Sequence, residues 1–366
     1  MEETLVVRIG VIGVGFGARV HIPAYQKEGL EVVAVCASRE ERARAAAERF
    51  RIPYAFADRA EMLAMDGLDA VAVVVPQNLH HSVTMDVIAA NKHVICEKPF
   101  ATILADAREM WQAAEASGIT AMVCHEFRFS PARARVKELI DDGYLGPLQS
   151  AFIKLMQAPR RGFSNRPYDP TRDDAELGGG LLWSQGSHNI DALRHWFGEI
   201  EWVSGNVFTH RGERTADGST IQISADDALT MTLGFADGGW ANFTASYAVG
   251  HSSGMNIELY GRDGTLVTPH PNVGSPNPPP HATLVGAKVG DELSELEIPA
   301  RLDPYDDEGH DGLMPTRMLA REFVRGIAEG VSPAPNFYDG YRCQQVLHAV
   351  RESAKSGRVI RIDAAP

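Results

Sequence analysis

The sequence predicts an α/β protein with an N-terminal doubly wound parallel sheet of Rossmann type, followed by an α/β domain on an open, mainly antiparallel sheet. Three observations predict it. The first third of the chain alternates short apolar runs with helix-forming stretches. Those runs, such as Ala70–Val75, are apolar throughout, as strands buried under helices on both faces must be. Beyond Leu148 the runs alternate apolar with polar residues, the pattern of a sheet with one covered face.

The elements follow in order. Val7–Ile12 is the first strand, then come glycines and a helical stretch through Tyr25. Val32–Ala37 is a strand, and Glu40–Phe50, rich in Ala, Arg and Glu, a helix. Ala70–Val75, Val94–Cys96 and Ile119–Cys124 are further strands, separated by helices at His80–Asn91 and Leu104–Ala116. Ser130-Pro131 opens another helix as cap and first residue, and Gly143 closes it. Leu229, Met231, Leu233 and Phe235 alternate with smaller or polar residues, as do Ala241, Phe243, Ala245 and Tyr247. Asp237-Gly238-Gly239 between them signals a hairpin. Pro269–His281 reads as a proline-rich surface loop, and Arg160 and Arg161 as adjacent cations in another. Arg317–Ala328 and Tyr341–Lys355 return to helix. The domain boundary is placed near Cys124–Ser130, giving domains 1–124 and 125–366.

Composition excludes several classes. The 366 residues carry 35 Lys+Arg against 48 Asp+Glu, a formal net charge of −13. Nucleic acid is therefore an unsuitable partner, because its affinity rests on cations neutralising phosphates. Hydrophobic residues at 44% and charged residues at 23% predict an ordinary folded chain. No apolar run reaches the length of about 18 residues that a membrane span needs. The start, MEETLVVRIG, lacks a basic segment and a cleavage site, so no secretion signal is expected. Cys36, Cys96, Cys124 and Cys343 are scattered, which predicts neither structural zinc nor disulfides and points to a reducing cytosol.

The run Val11-Ile12-Gly13-Val14-Gly15-Phe16-Gly17-Ala18 carries GxGxxA after a strand and before a helix. Gly13 would permit the tight turn, Gly15 would let a pyrophosphate reach bare backbone, and Ala18 would let helix and strand pack closely. The amides from Phe16 and Gly17 onward would offer partial positive charge to phosphates. The second strand ends Cys36-Ala37-Ser38-Arg39 with no acid at its tip. Ser38 can donate to a 2′-phosphate, and Arg39 or Arg42 can pair with it, which favours NADP. Glu40 and Glu41 lie close enough to keep NAD open.

Several blocks then coincide: Val75-Pro76-Gln77-Asn78-Leu79-His80, Cys96-Glu97-Lys98-Pro99, Gly178-Gly179-Gly180 with Gly186-Ser187-His188 and Asp191, and Tyr338-Asp339-Gly340. Together they resemble the Gfo/Idh/MocA oxidoreductase family over nearly the whole chain. The resemblance implies an NAD(P)-binding Rossmann domain (1–124) and a substrate-binding and oligomerisation domain (125–366). It implies hydride transfer between nicotinamide and a hydroxyl-bearing carbon of a sugar, cyclitol or related ring alcohol. It also implies a homodimer or homotetramer paired through the second sheet. Carried over residue by residue, Lys98 matches the catalytic lysine and His188 the general acid/base. Pro76, Gln77 and His80 match the loop lining the nicotinamide ribose, and Glu97 lies beside it. Gln77 stands where many members have Asn, and Ser184 where many have Asp.

Chemistry read from the residues agrees. At about 100° per residue along a helix over 181–197, Ser184, His188, Asp191 and His195 fall within about 60° of one another. Leu182, Ile190, Leu193 and Phe197 lie opposite. A polar stripe on a buried helix needs partners or a ligand. Imidazole suits a base for an alcohol proton near neutral pH, and an ammonium stabilises alkoxide charge. His188 and Lys98 are assigned those roles, converging on one carbinol; Asp191 and His195 are read as structural, and no metal is expected. Glu126, Arg128, Tyr168, Arg172, Trp183 and Ser184 are candidate contacts for a polyol or sugar. Redox-assisted glycoside cleavage and dihydrodiol oxidation are alternatives on the same fold. A nucleotide-sensing regulator is a third, against which the retained Lys98 and His188 argue.

Overall fold

The computed structural model describes residues 6–158, 168–216, 219–270, 283–305 and 313–364. By packing, the chain forms two compact units, Met1–Phe129 with Tyr305–Gln344, and Ser130–Pro304 with Gln345–Pro366.

The first unit holds a six-stranded sheet of β1 (Arg8–Ile12), β2 (Glu31–Cys36), β3 (Tyr54–Phe56), β4 (Ala70–Val73), β5 (His93–Cys96) and β6 (Ala121–Val123). The order is β3-β2-β1-β4-β5-β6, and every pair is parallel. Its helices are α1 (Ile22–Lys27), α2 (Glu40–Phe50), α3 (Arg59–Leu63), α4 (His80–Ala89) and α5 (Leu104–Ser117). All four residues of β4 are fully buried, which explains its uninterrupted Ala-Val composition. The strand order reverses between β1 and β4, where sheets of this kind open a crevice at their carboxyl ends. β3 and α3 are too short to leave a periodic signal in the sequence; α3 is secured by Asp58, whose carboxylate accepts from the Ala60 amide at 2.8 Å.

The second unit contains α6 (Pro131–Asp141), α7 (Pro170–Asp173) and α8 (Ser187–Phe197). Its main sheet comprises β7 (Leu148–Met156), β8 (Ile200–Phe208), β11 (Ala228–Phe235), β12 (Trp240–Ser246), β13 (Gly254–Gly261), β14 (Gly264–His270), β15 (Val285–Lys288), β16 (Ser294–Glu295) and β17 (Ile360–Arg361); β9 (Glu213–Ala216) and β10 (Ser219–Gln222) pair separately. The order β16-β15-β14-β13-β7-β12-β11-β8-β17 is open and antiparallel except between β7 and β12, so the sheet is mixed. The expected hairpin joins β11 and β12 through Gly238 and Gly239, both at positive φ. Its register sets Leu229 opposite Ala245, Met231 opposite Phe243 and Leu233 opposite Ala241, all on the covered face. The opposite face carries Phe152, Trp240 and Tyr260, with Phe152 and Trp240 each 38% exposed and their rings 5.2 Å apart. β14 continues through His270 into the stretch read as a loop; residues 271–282, like Arg160 and Arg161, lie outside the described residues.

The boundary expected near Cys124–Ser130 coincides with the division by packing between Phe129 and Ser130, but the chain returns to the first unit over 305–344. Helix α9 (Leu313–Glu329) places Leu319, Ala320 and Phe323 in one core of the first unit, with Ile9, Val11 and Val35. Helix α10 (Phe337–Ser356) begins in the other core of that unit, where Phe337 packs on Phe100 at 4.6 Å and Tyr341 stacks on Trp111 at 5.1 Å. The segment 305–344 therefore belongs with the parallel sheet rather than with 125–366, because its apolar faces complete that sheet's cover. Arg317 fastens α9 further, 2.6 Å from the buried carboxylate of Glu28. Among the described residues, no helix is long and apolar enough to cross a membrane.

Candidate active site

At the end of β1, Gly13 has φ +107, and its amide donates to the Cys36 carbonyl at 2.9 Å. A Cβ there would lie 2.1 Å from the Val74 oxygen, so both conformation and space demand glycine. Gly15 is exposed, with open space where its Cβ would be. The helix that follows departs from expectation. Gly17–His21 is a π-helical turn, with the Ile22 amide donating to the Gly17 carbonyl five residues back. Pro23 has no N–H for the usual ladder, so the wider turn accommodates it. Gly17 lies against Val11, where a Cβ would be 3.1 Å from the side chain, so the close helix–strand approach falls to Gly17 as well as the buried Ala18. Bare backbone at Gly15, followed by the amides of a helix start beside the strand-order reversal, fits a dinucleotide pyrophosphate. Phe16 borders this turn with its ring 5.6 Å from that of His21.

Ser38, Arg39 and Arg42 are exposed after β2. Arg39 occupies the cap position of α2 and sits 3.5 Å from Glu41. After β4, Pro76 is exposed and Gln77 opens a 3₁₀ turn through Leu79. His80 differs from these: it is buried, with Nδ1 2.9 Å from the Pro99 carbonyl and Nε2 3.0 Å from the Val75 carbonyl. Burial pulls its pKa below the usual imidazole value. Its ring braces the two loops that carry Pro76 and Lys98.

Lys98 is half-buried at the end of β5, next to the buried Glu97. Glu97 Oε1 lies 2.7 Å from His21 Nε2, and Oε2 accepts the Lys98 amide at 3.0 Å. The other nitrogen of His21, Nδ1, lies 2.9 Å from the Tyr25 hydroxyl. Burial pushes the Glu97 carboxyl up, but the His21 hydrogen bond and the charge of Lys98 outweigh it and hold the pKa below the usual range. The Cys124 thiol joins this cluster, pushed well up by its own burial. Ligand atoms of His21, Glu97 and Cys124 lie within 4.8 Å of one another, a set of the right types for a cation, although His21 and Glu97 already bond each other. Sequence alone missed His21 and Tyr25. Their one-turn spacing hints at a shared face, but Glu97 stands 76 residues from His21.

Glu126 and Arg128 lie buried on a 3₁₀ turn after β6. Arg128 sits 3.2 Å from Asp339, the acid of the Tyr338-Asp339-Gly340 block. Asp339 in turn accepts the Asn336 amide at 3.1 Å while Asn336 accepts that of Asp339 at 3.2 Å, a reciprocal cap that starts α10.

In the second unit, Tyr168 and Arg172 are exposed, Arg172 lying 3.5 Å from Asp169. Gly179 packs tightly: a Cβ would lie 2.7 Å from the backbone of Arg172 and Asp174. Trp183 is buried, its ring edge-on to His348 at 5.5 Å and the Arg351 guanidinium 5.5 Å from its centre. That placement makes it a packing residue of its unit. Leu182–Gly186 is a second π-helical turn, so the 100° step used to align Ser184 with His188 does not hold there. Ser184 is half-buried and donates from Oγ to the Gly180 carbonyl at 2.7 Å. His188 and Asp191 are buried on α8, one turn apart, whereas His195 is only half-buried.

Residues 7–125 match the model described as the oxidoreductase family, NAD-binding Rossmann fold (GFO_IDH_MocA), and residues 134–267 match its C-terminal domain model. The chain is 28% identical to a D-apiose dehydrogenase of Paraburkholderia graminis, over 96% of this chain and 88% of that one. It is 25% identical to a levoglucosan dehydrogenase of Pseudarthrobacter phenanthrenivorans, over 94% and 95%. A solved levoglucosan dehydrogenase in complex with NADH and L-sorbose superposes with a TM-score of 0.87 at 23% identity, over 98% and 99%, which shows a shared fold.

Proposed function

The chain belongs to the Gfo/Idh/MocA oxidoreductase family, and from that premise we propose that it is a dehydrogenase of sugars, cyclitols or related ring alcohols. The observation that carries the reading is the Lys98 loop: a half-buried ammonium whose backbone is tied through Glu97 to the helix that starts at the glycine turn. NAD(P), when bound, accepts or returns hydride at the carbinol carbon. Gly13, Gly15, Phe16, Gly17 and Ala18 would hold its pyrophosphate, and Pro76, Gln77 and Glu97 would border its ribose. His80 would act from behind, by bracing the loops. Lys98 would stabilise charge developing on the substrate oxygen, and His188 would take the hydroxyl proton or return it in reduction. Ser184 carries no charge to support an imidazolium, which leaves more of that task to Lys98.

Exposed Ser38, Arg39 and Arg42 support NADP over NAD. Polyol contacts are assigned to Tyr168, Arg172 and Ser184, and to Glu126 and Arg128. The outward aromatic patch of Phe152, Trp240 and Tyr260 supports self-association through the second sheet into a dimer or tetramer. Four buried free cysteines support a reducing, cytosolic compartment. The test is a panel of levoglucosan, D-apiose, D-xylose, D-glucose and myo-inositol, each with NAD+ and NADP+, followed at 340 nm. Reduction of cofactor by a panel member supports the reading; none with any polyol defeats it.

A further inference from the structure

Helix α8 starts from the π turn Leu182–Gly186, and a helix start leaves amides in need of acceptors. Leu181 and the three glycines before it offer no side-chain acceptor to cap the turn. The acceptors come from 44 residues further along the chain, at the entry to β11. There the Asp226 carbonyl accepts the Leu181 amide at 3.0 Å, and its carboxylate accepts the Leu182 amide at 2.8 Å. The same carboxylate explains the last glycine of the triplet. Gly180 has φ +113, and a Cβ on it would lie 2.2 Å from Asp226 Oδ1. Gly180 in turn accepts both the amide and the hydroxyl of Ser184, at 3.1 and 2.7 Å.

We propose that Asp226 is a positioning residue: it clamps the amides of Leu181 and Leu182 where the π turn begins and so sets the placement of Ser184 and of His188 one turn beyond. The role rests on His188 being the acid/base of the reaction; the clamp itself does not. Asp226 acts through the backbone, and the amide oxygen of an Asn at that position could accept the same Leu182 hydrogen bond.

The experiment compares D226A, D226N and G180A with the wild type. Hydrogen exchange is read at amides 181–184, and kcat and cofactor KM are measured with the sugar panel above. D226A should exchange at least ten-fold faster at those amides and lose at least ten-fold in kcat, with the cofactor KM within two-fold. D226N should stay within three-fold of wild type on both readouts. Wild-type exchange in D226A overturns the clamp, as does D226N failing as badly as D226A. If D226A does not fold, G180A carries the test, since its methyl pushes on the same carboxylate; it should reproduce both defects, and wild-type values would overturn the proposal. Unchanged turnover in H188A would instead defeat the functional reading and leave the exchange result standing.

Discussion

His21 Nε2 lies 2.7 Å from Glu97 Oε1 in the interior of the first unit, so the helix that leaves the glycine turn is bonded to the residue next to Lys98. The glycine turn and the lysine loop are thus parts of one buried network. Removing His21 by H21A should strand an acid in a site with little water and cost about 3–5 kcal/mol of stability. A drop in the urea midpoint with an unchanged slope checks it. H21Q, which retains a donor, should recover part of the loss.

Glu97 also sets a pH response. Its folded pKa lies below the ordinary carboxylate value, so its ionised form is favoured by folding. That contribution is complete above the unfolded pKa and fades as pH falls through the lower folded value. Acid titration of the urea midpoint should show a loss below about pH 4 that is smaller in E97Q.

Asp226 behaves in the opposite sense. Burial, reinforced by Asp227, raises its pKa to about 6 despite the amides of Leu181 and Leu182. The folded state therefore binds its proton more readily than the unfolded chain. The favourable contribution is full below the unfolded pKa and disappears as pH rises through about 6. Between pH 5 and 7.5, wild type should lose roughly 1 kcal/mol relative to D226N. Parallel denaturation curves at both pH values measure this; identical pH dependence in the two proteins contradicts it.

K98A and H188A should each lower turnover about 10²–10⁴-fold. NAD(P)H binding, followed by nicotinamide fluorescence, should survive in both. Full activity in both variants would remove the assigned roles.

R39A should weaken use of NADP by about ten-fold or more in kcat/KM while leaving NAD within two-fold, since only the 2′-phosphate gains from a guanidinium. Equal effects on the two cofactors would mean that Arg39 serves only α2.

W183A tests whether that ring packs or binds. Its burial against His348 and Arg351 predicts a loss of about 3–5 kcal/mol in stability. Sugar KM for the folded fraction should stay near wild type.

The parallel sheet was legible because its strands bury both faces, and the β11–β12 hairpin because alternation and Gly238-Gly239 agree. The glycine turn, Lys98 and His188 were singled out as motifs, and the structure places them after β1, after β5 and on α8. What escaped depended on distant partners. Nothing near Trp183 in sequence reveals that His348 and Arg351 enclose it, and nothing near Gly180 reveals Asp226. The two π turns escaped because a helical wheel assumes one constant step. Arg128 and His80 were read as groups for a ligand, and the protein partners each also has, Asp339 for one and the carbonyls of Val75 and Pro99 for the other, lie too far off in sequence or in backbone atoms to be foreseen.

The return of 305–344 to the parallel sheet bears on how the chain acquires its fold during synthesis. Within this sequence the Rossmann half precedes the second unit, yet Leu319, Phe323, Phe337 and Tyr341 are missing from its cores until the residues beyond 304 have been made. A fragment ending at residue 129 would expose the apolar ground those side chains cover and should aggregate, while one supplemented in trans with 305–344 should gain solubility.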